Sequence, residues 1–509
     1  MTGTGAEGWW RRGLHAIPLG LGAALYVFYA HRLFAFTPDD TFIFLRVARN
    51  WASGLGPVYN PGEHVQGYTS TLWLLWLTVL EATASRPVLA AKLSSAALGL
   101  GLVVTSHLLA REARPQAAAP LAALFLAGFL DIPYWGVSGM ETLLFATAAN
   151  GALYFYLRSW RAPRAIGAAA GLLAVAGLAR PEGALVALAI VAFEWHRTGG
   201  RPSRLFVGSL AAAAVLIAGQ FAWAFAEYGS PLPNTYFAKH LSPVAALVAG
   251  VRYLRDFAEF SDGAFVVVLA GLAVVYSRRH DAVRMLGVVG VLFVAYVLWV
   301  GGDSWAWLGT QRFLIVALPS LAVMIDVGAG ALARLVRPSL ATRKARAFAW
   351  AAAVVAMGAF LNPTGIGARA VETVAGDHEL AQYLRSVAHP GETLIAPDIG
   401  QFGYYTPLRI VDTYGLVTPF IARELRKDGV NRYTPGSTAR LVEYVFGLDA
   451  RFVILKGVLR DGAPDVADEC GARAIYGDDR FAERYRLLRT ARERPYLLFV
   501  RRGMDPHGD

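Results

Sequence analysis

The chain has 509 residues, 55% of them hydrophobic and only 17% charged, with a mean hydropathy of +0.42 and a net charge of +11. A soluble domain carries about a quarter charged residues, so a chain immersed in water on every side is excluded. Its one cysteine, Cys470, excludes an intramolecular disulfide, and the arginines lie in short loops between apolar runs, which argues for membrane orientation rather than a nucleic-acid partner.

Apolar runs of about 18 residues or more mark bilayer-spanning helices. In chain order they predict spans near 14–36, 88–110, 116–133, 140–157, 164–179, 183–196, 204–226, 263–277, 284–301, 313–333 and 345–361, about eleven in all. The first reads as a retained span, because it lies too deep and lacks the small-residue cleavage site of a signal peptide. Thr71–Ala82 is apolar and aromatic but too short to cross roughly 30 Å of hydrocarbon, and is expected to lie at the interface.

With that parity, Arg11/Arg12, Arg111/Arg114, Arg158/Arg161/Arg164, Arg197/Arg201/Arg204, Arg278/Arg279/Arg284 and Arg334/Arg337/Arg343 occupy alternate connections. The positive-inside rule makes these cytoplasmic. The N-terminus is then cytoplasmic and everything after Asn362 lies outside. The expected organisation is a membrane module over 1–362, with its first outer loop at 37–87, and a periplasmic domain over 363–509. That describes a multi-pass protein of a bacterial inner membrane.

The outer connections are rich in polar residues, glycine and proline, whereas the cytoplasmic ones are short and plain. In the first, Asp39 and Asp40 follow "TP". One aspartate would suffice as a helix cap, and a like-charged pair raises one pKa and supplies a candidate acid/base. "GLGPVYNPGEHVQGYTSTLW" continues the loop with Glu63, His64 and Tyr68 among aromatics that suit either a membrane belt or a platform for a sugar or headgroup. Glu141 in "SGMET" is a boundary carboxylate and also fits a capping box with Ser138. Arg180 and Glu182 in "ARPEG" match a local ion pair. "YGSPLPNTYFAKH" contributes Asn234, Tyr236, Lys239 and His240, and "GGDSWAWLGTQRF" contributes Asp303 and Arg312.

Beyond Asp377 the pattern changes. "ETLIAPD", "LRIVDTYG", "RFVILKG" and "RPYLLFVRR" predict short strands, and "ELAQYLRSVA" and "STARLVEYVFG" predict helices, together a small α/β domain. Asp398 and Asp412 stand at two strand ends, where they either grip an acceptor or cap turns.

Acids (Asp39, Asp40, Glu141, Asp303) and cations (Arg180, Lys239, His240, Arg312) thus gather on one side of the membrane. That suits transfer from an anionic lipid-linked donor to a hydroxyl: a carboxylate takes the hydroxyl proton and cations neutralise the departing phosphate. No cofactor motif is present. The paired acids leave a divalent cation (Mg, Mn or Ca) open beside the proton.

Together, "DDTFIFLRVARNWASGLGPVYNPGEHVQGYTSTLW", "SGMET", "RPEG", "YGSPLPNTYFAKH", "GGDSWAWLGTQRF" and "DIGQFGYYTPLRIVDTYGLVTP" resemble the GT-C membrane glycosyltransferases, most narrowly the mycobacterial terminal arabinofuranosyltransferase family. The resemblance covers most of the chain. It implies a mainly α, polytopic GT-C fold with a small C-terminal α/β periplasmic domain. It further implies a polyprenyl-phosphate sugar donor and a first-loop aspartate as base, a role that falls on Asp39 or Asp40. Lys239, His240 and Arg312 match positions that meet donor phosphate, Arg180 is a further phosphate-binding candidate, and Glu63, His64, Tyr68, Glu141, Asn234, Tyr236, Asp303, Asp398 and Asp412 are substrate-binding candidates.

The partners implied are that donor, membrane lipids and a glycan, glycolipid or surface-protein acceptor. The longer C-terminal extension expected of the mycobacterial enzyme has no counterpart here, so acceptor and sugar stay open, with arabinofuranose the leading choice. The alternative is a transporter or flippase of a lipid-linked sugar. It would call for charges deep within spans or matched broken helices, whereas most charges here sit at one boundary.

Overall fold

The computed structural model describes residues 4–114, 120–260, 271, 275, 280–303, 310–336, 377–425, 433–491 and 495–504. It is mostly helical, with one sheet near the C-terminus. The chain divides into two compact units: Met1–Ala35, Ala91–Gly219 and Ala246–Gly367 form the first, and Phe36–Ala90, Gln220–Ala245 and Ala368–Asp509 the second.

Within the described residues, Pro87–Ala113, Arg204–Tyr228 and Asp281–Val300 are long and apolar enough to cross a membrane. Helices Thr4–Arg32, Thr142–Ser159, Ala165–Ala179, Gly183–Arg197 and Leu318–Val336 coincide with further expected spans. The spans expected at 263–277 and 345–361 fall outside the described residues, apart from positions 271 and 275. Near 116–133 the described chain forms two short helices, Ala122–Gly128 and Asp131–Gly136, instead of one span. Every residue of both is buried, and helix ends at membrane depth are tolerated where protein rather than lipid surrounds them.

In the first unit, small residues let helices approach closely. Tyr26 is buried and donates its hydroxyl to the Ala96 carbonyl at 2.8 Å. A Cβ at Gly99 or Gly136 would overlap that hydroxyl, so the glycine-rich run around Gly99 is a packing surface.

The second unit is built around the sheet. β1 (Thr393–Ala396), β2 (Arg409–Asp412) and β3 (Phe452–Arg460) are parallel, and β4 (Ala463–Val466), β5 (Tyr485–Thr490) and β6 (Tyr496–Arg501) complete it in the order β2-β1-β3-β6-β5, with β4 on β3. β6 runs antiparallel to β3 and to β5. Sequence patterning locates β1, β2, β3, β6 and the helix Pro435–Gly447, but misses β4 and β5, which are short, mostly half-exposed and interrupt their apolar residues with proline or charge. One face of the sheet packs Ile395, Val453, Leu455, Leu497 and Phe499 against Leu441, Val445 and Phe481. Full burial of such a side chain contributes about 1.5–3 kcal/mol.

The first outer loop belongs to this second unit. Asp39–Ala52 forms a helix whose inward face buries Phe42, Leu45 and Arg46. The Arg46 guanidinium donates to the carbonyls of Tyr59 (2.7 Å), Leu408 (2.7 Å) and Gly403, and to Asn60 Oδ1 at 3.2 Å. Tyr59 Oη donates to the Ile399 carbonyl at 2.6 Å, and Asn60 Nδ2 to the Ile410 carbonyl at 2.9 Å. Loop and domain are thereby tied at several buried points. Arg46→Met would leave three buried carbonyls without that donor, and on the order of 3 kcal/mol of stability is expected to be lost. Thermal unfolding of the purified chain should show an earlier transition, and an unchanged one would contradict the clamp.

Thr71–Thr83 is the short helix expected at the interface. It buries Trp73, Leu74, Leu77 and Leu80 and exposes Leu75, Trp76 and Val79. Glu81 near its end meets Arg49 at 3.3 Å and Tyr404 Oη at 2.8 Å. A further amphipathic helix, Pro243–Phe260, escaped the sequence reading because its apolar residues are spaced rather than continuous.

Candidate active site

The acid pair opens a helix. Pro38 precedes it in an extended conformation, with its ring-fixed φ of −67° suited to a helix entry, and Asp39 and Asp40 form the first turn, where the helix dipole favours negative charge. Neither is the cap. The Asp39 carboxylate reaches instead to the turn after β1: Gly400 N–H donates to Oδ2 at 2.6 Å and Gln401 N–H to Oδ1 at 2.8 Å.

Burial pushes the Asp39 pKa up, and the Asp398 charge adds to that. The two main-chain amides hold it back, Asp40 raises it slightly, and the outcome is about 6. A carboxylate fixed by two amides and titrating near that value can accept a proton at neutral pH.

Asp398 itself accepts from Tyr496 Oη and lies 3.4 Å from Lys456 Nζ. Lys456 also meets Glu469 at 3.2 Å and Tyr414 Oη at 2.9 Å. Burial alone would lower the Lys456 pKa, but Asp398 and Glu469 outweigh it and the net shift is upward. The strand-end aspartates therefore differ. Asp398 faces this polar group, whereas Asp412 is completely buried and receives the N–H groups of Tyr414 (2.7 Å), Leu416 and Val417 (3.2 Å). Asp412 thus holds a turn together, the turn-capping alternative of the sequence reading.

Other expected site residues in this unit are taken up by local contacts. Glu63 pairs with Arg409 at 2.7 Å, His64 with Glu227 at 3.1 Å, and Tyr68 is buried with its hydroxyl 2.7 Å from that of Tyr228. Asn234 is buried and donates to the carbonyls of Gly415 (2.7 Å) and Leu416 (3.2 Å), an anchoring rather than a recognition geometry. Tyr236 is half-exposed and its ring sits 5.8 Å from that of His240, with Lys239 between them at the end of the helix Asn234–Ala238.

In the first unit, a narrow recess is lined by Thr142, Phe145, Arg180, Glu182, Tyr296, Arg312 and Phe313, among others. Arg180 is buried and pairs with Glu141 at 2.8 Å and with Glu182 at 2.9 Å. Burial would lower the Arg180 pKa, but Glu182 and Glu141 more than restore it, so the charge stays on. Tyr296 Oη donates to Glu182 at 2.7 Å.

The capping box read at Ser138 and Glu141 does not form: Glu141 precedes the helix Thr142–Ser159 without a side-chain cap and turns to Arg180. Two carboxylates already flank Arg180, so its charge is locally neutralised. The Arg312 guanidinium lies over the Trp135 and Phe313 rings at 5.0 and 5.8 Å and against Met140. Asp303 accepts from Tyr253 Oη at 2.6 Å, and Phe313 N–H donates to the same hydroxyl at 3.1 Å. Sequence reasoning missed Tyr253, Tyr296 and Arg46, since a tyrosine or arginine inside an apolar stretch gives no local sign of its distant partner.

A divalent ion needs several oxygen ligands aimed at one point. Among the described residues no three His, Cys, Asp or Glu side chains form such a group, and both Asp39 oxygens already face main-chain N–H groups.

The helical layout and C-terminal sheet define the GT-C fold of membrane glycosyltransferases. ArnT from Cupriavidus metallidurans, solved bound to undecaprenyl phosphate, superposes with a TM-score of 0.59 at 14% identity, over 97% of this chain and 99% of that one. The Archaeoglobus fulgidus oligosaccharyltransferase gives 0.57 at 13% identity, over 89% and 70%.

By sequence the chain is related to the terminal beta-(1->2)-arabinofuranosyltransferases. It is 25% identical over 367 residues to that of Corynebacterium glutamicum, which covers 60% of this chain and 50% of the relative. It is 32% identical over 227 residues to that of Mycobacterium tuberculosis, over 40% and 34%. The chain thus spans half, or about a third, of these relatives' length. Residues 366–500 match a family model described as a domain of unknown function, DUF8728.

Proposed function

We propose that the protein is a glycosyltransferase that moves a sugar, arabinofuranose, from a polyprenyl-phosphate donor to a hydroxyl of a cell-envelope glycan, glycolipid or surface protein. The observation that carries this reading is the Asp39 carboxylate, held by the amides of Gly400 and Gln401 and titrating at about 6. The acceptor oxygen attacks the anomeric carbon, Asp39 takes the hydroxyl proton, and the bond from that carbon to the phosphate oxygen breaks. Polyprenyl phosphate leaves with the electron pair.

Lys239 and His240 are the donor-phosphate candidates of the second unit and Arg312 that of the first. Arg180 acts one step back: its two carboxylate partners make it the residue that shapes the recess in which Arg312 stands. Asp40 steers the acceptor, and Asp398 acts on the acid pair through the β1 turn. The kinship to arabinofuranosyltransferases and the likeness to a fold solved with undecaprenyl phosphate support the donor class.

Arginine placement supports a cytoplasmic N-terminus and a periplasmic C-terminal domain. A C-terminal alkaline phosphatase fusion is then expected to be active in the periplasm, and an inactive one would reverse the topology. To test the function, the purified chain is offered a panel of polyprenyl-phosphate sugars with an arabinan oligosaccharide. Acceptor-dependent consumption of the arabinofuranosyl donor is expected. Indifference to every polyprenyl-phosphate sugar would overturn the reading.

A further inference from the structure

We propose that the Asp398–Ile399–Gly400 turn of the C-terminal domain is a positioning element for Asp39, with Gly400 and Asp398 setting in opposite senses how readily that carboxylate takes a proton. This deepens the functional reading above and rests on it.

The geometry begins with Gly400. A Cβ there would overlap the Asp39 main-chain carbonyl oxygen and stand 2.6 Å from Oδ1. Only glycine lets the turn approach closely enough for its N–H, and that of Gln401, to meet the two carboxylate oxygens. Gly403, one turn further along the helix Gly400–Tyr405, repeats the arrangement: a Cβ there would overlap the Tyr59 hydroxyl. The helix thus turns a glycine face toward the first outer loop. Arg46, bound to the Gly403 and Leu408 carbonyls, and Tyr59, bound to Ile399, hold loop and turn in that register.

Three side chains and two main-chain amides act on the Asp39 carboxylate. Asp40 comes from its own helix, Tyr59 from the loop, Asp398 from the turn, and the two amides from the start of the following helix. The amides favour the ionised form, while Asp398 disfavours it. Lys456 on β3 and Tyr496 on β6 in turn hold Asp398. Both influences come from one short stretch, Asp398 to Gln401.

Two variants test the idea by opposite signs. Gly400→Ala separates the amides from the carboxylate, so the acid limb of the transfer rate, expected near pH 6 in the wild type, should move to higher pH with a fall in kcat of about tenfold or more. Asp398→Asn removes the repelling charge at nearly constant shape, so the limb should move to lower pH, by on the order of one pH unit. A stability defect alone lowers the active fraction and moves neither limb.

The titration is also read without activity, from the pH dependence of carbodiimide labelling of Asp39 followed by mass spectrometry. Opposite shifts in that labelling support the positioning role even in a protein that transfers no sugar, an outcome that would overturn the functional reading alone. Wild-type midpoints in both variants, by rate and by labelling, would overturn the positioning role even if transfer is seen.

Discussion

Asp39→Asn is expected to lower kcat for sugar transfer by about 10²–10⁴-fold, the usual contribution of a general base, with the KM for the lipid donor little changed. The substitution keeps shape but removes the basic oxygen pair. It also sets an NH2 group against one of the two amides of Gly400 and Gln401 that now donate to the carboxylate. Asp40→Asn is the informative companion. Asp40 shares the first helical turn but receives neither of those amide bonds, so its loss should be the smaller of the two. Steady-state kinetics on folded, monodisperse protein decide the matter: a larger loss at Asp40 would move the base to that residue. Wild-type rates in both variants would remove the pair from the chemistry.

Arg180→Met carries the largest expected effect on stability. The guanidinium is buried and bridges Glu141 and Glu182, which are themselves almost inaccessible to water. Removing it leaves two carboxylates uncompensated, and breaking a buried pair by deleting one partner costs about 3–5 kcal/mol. Arg180→Lys should recover only part of this, because an ammonium cannot reproduce the paired contact to Glu182 through both Nε and Nη2. The check is thermal unfolding in detergent. If Arg180→Met melts with the wild type, the ion triad is not what holds these helix ends together. A variant that stays folded but loses donor affinity would return Arg180 to direct phosphate contact.

The sequence made the membrane character and much of the α/β domain legible, because both rest on local pattern. Eighteen-residue apolar runs and strand-length alternation need no knowledge of distant partners. The acid pair was legible for a related reason: two adjacent aspartates exceed what capping requires. What could not be read was the use of each polar residue, since that depends on partners far along the chain.

Glu141 and Arg180 are 39 residues apart and form an ion pair, and Asp39 meets amides some 361 residues away. Asp412 and Asn234 looked equally suited to bind substrate in sequence, yet both are buried against backbone groups. The grouping of the first outer loop with the C-terminal domain had the same origin. It is written in Arg46, Tyr59 and Asn60, whose carbonyl partners leave no mark in a hydropathy profile.

The most direct test of the central claim follows the fate of the lipid-linked sugar. The purified 509-residue chain is reconstituted in vesicles with polyprenyl-phosphoryl arabinofuranose and an arabinan oligosaccharide acceptor, and both products are measured together. Chemistry at Asp39 predicts one polyprenyl phosphate released for each sugar joined to the acceptor, with both lost in Asp39→Asn. Recovery of the donor intact on the opposite leaflet, with no sugar on the acceptor, would contradict it and make the protein a translocator of the lipid-linked sugar.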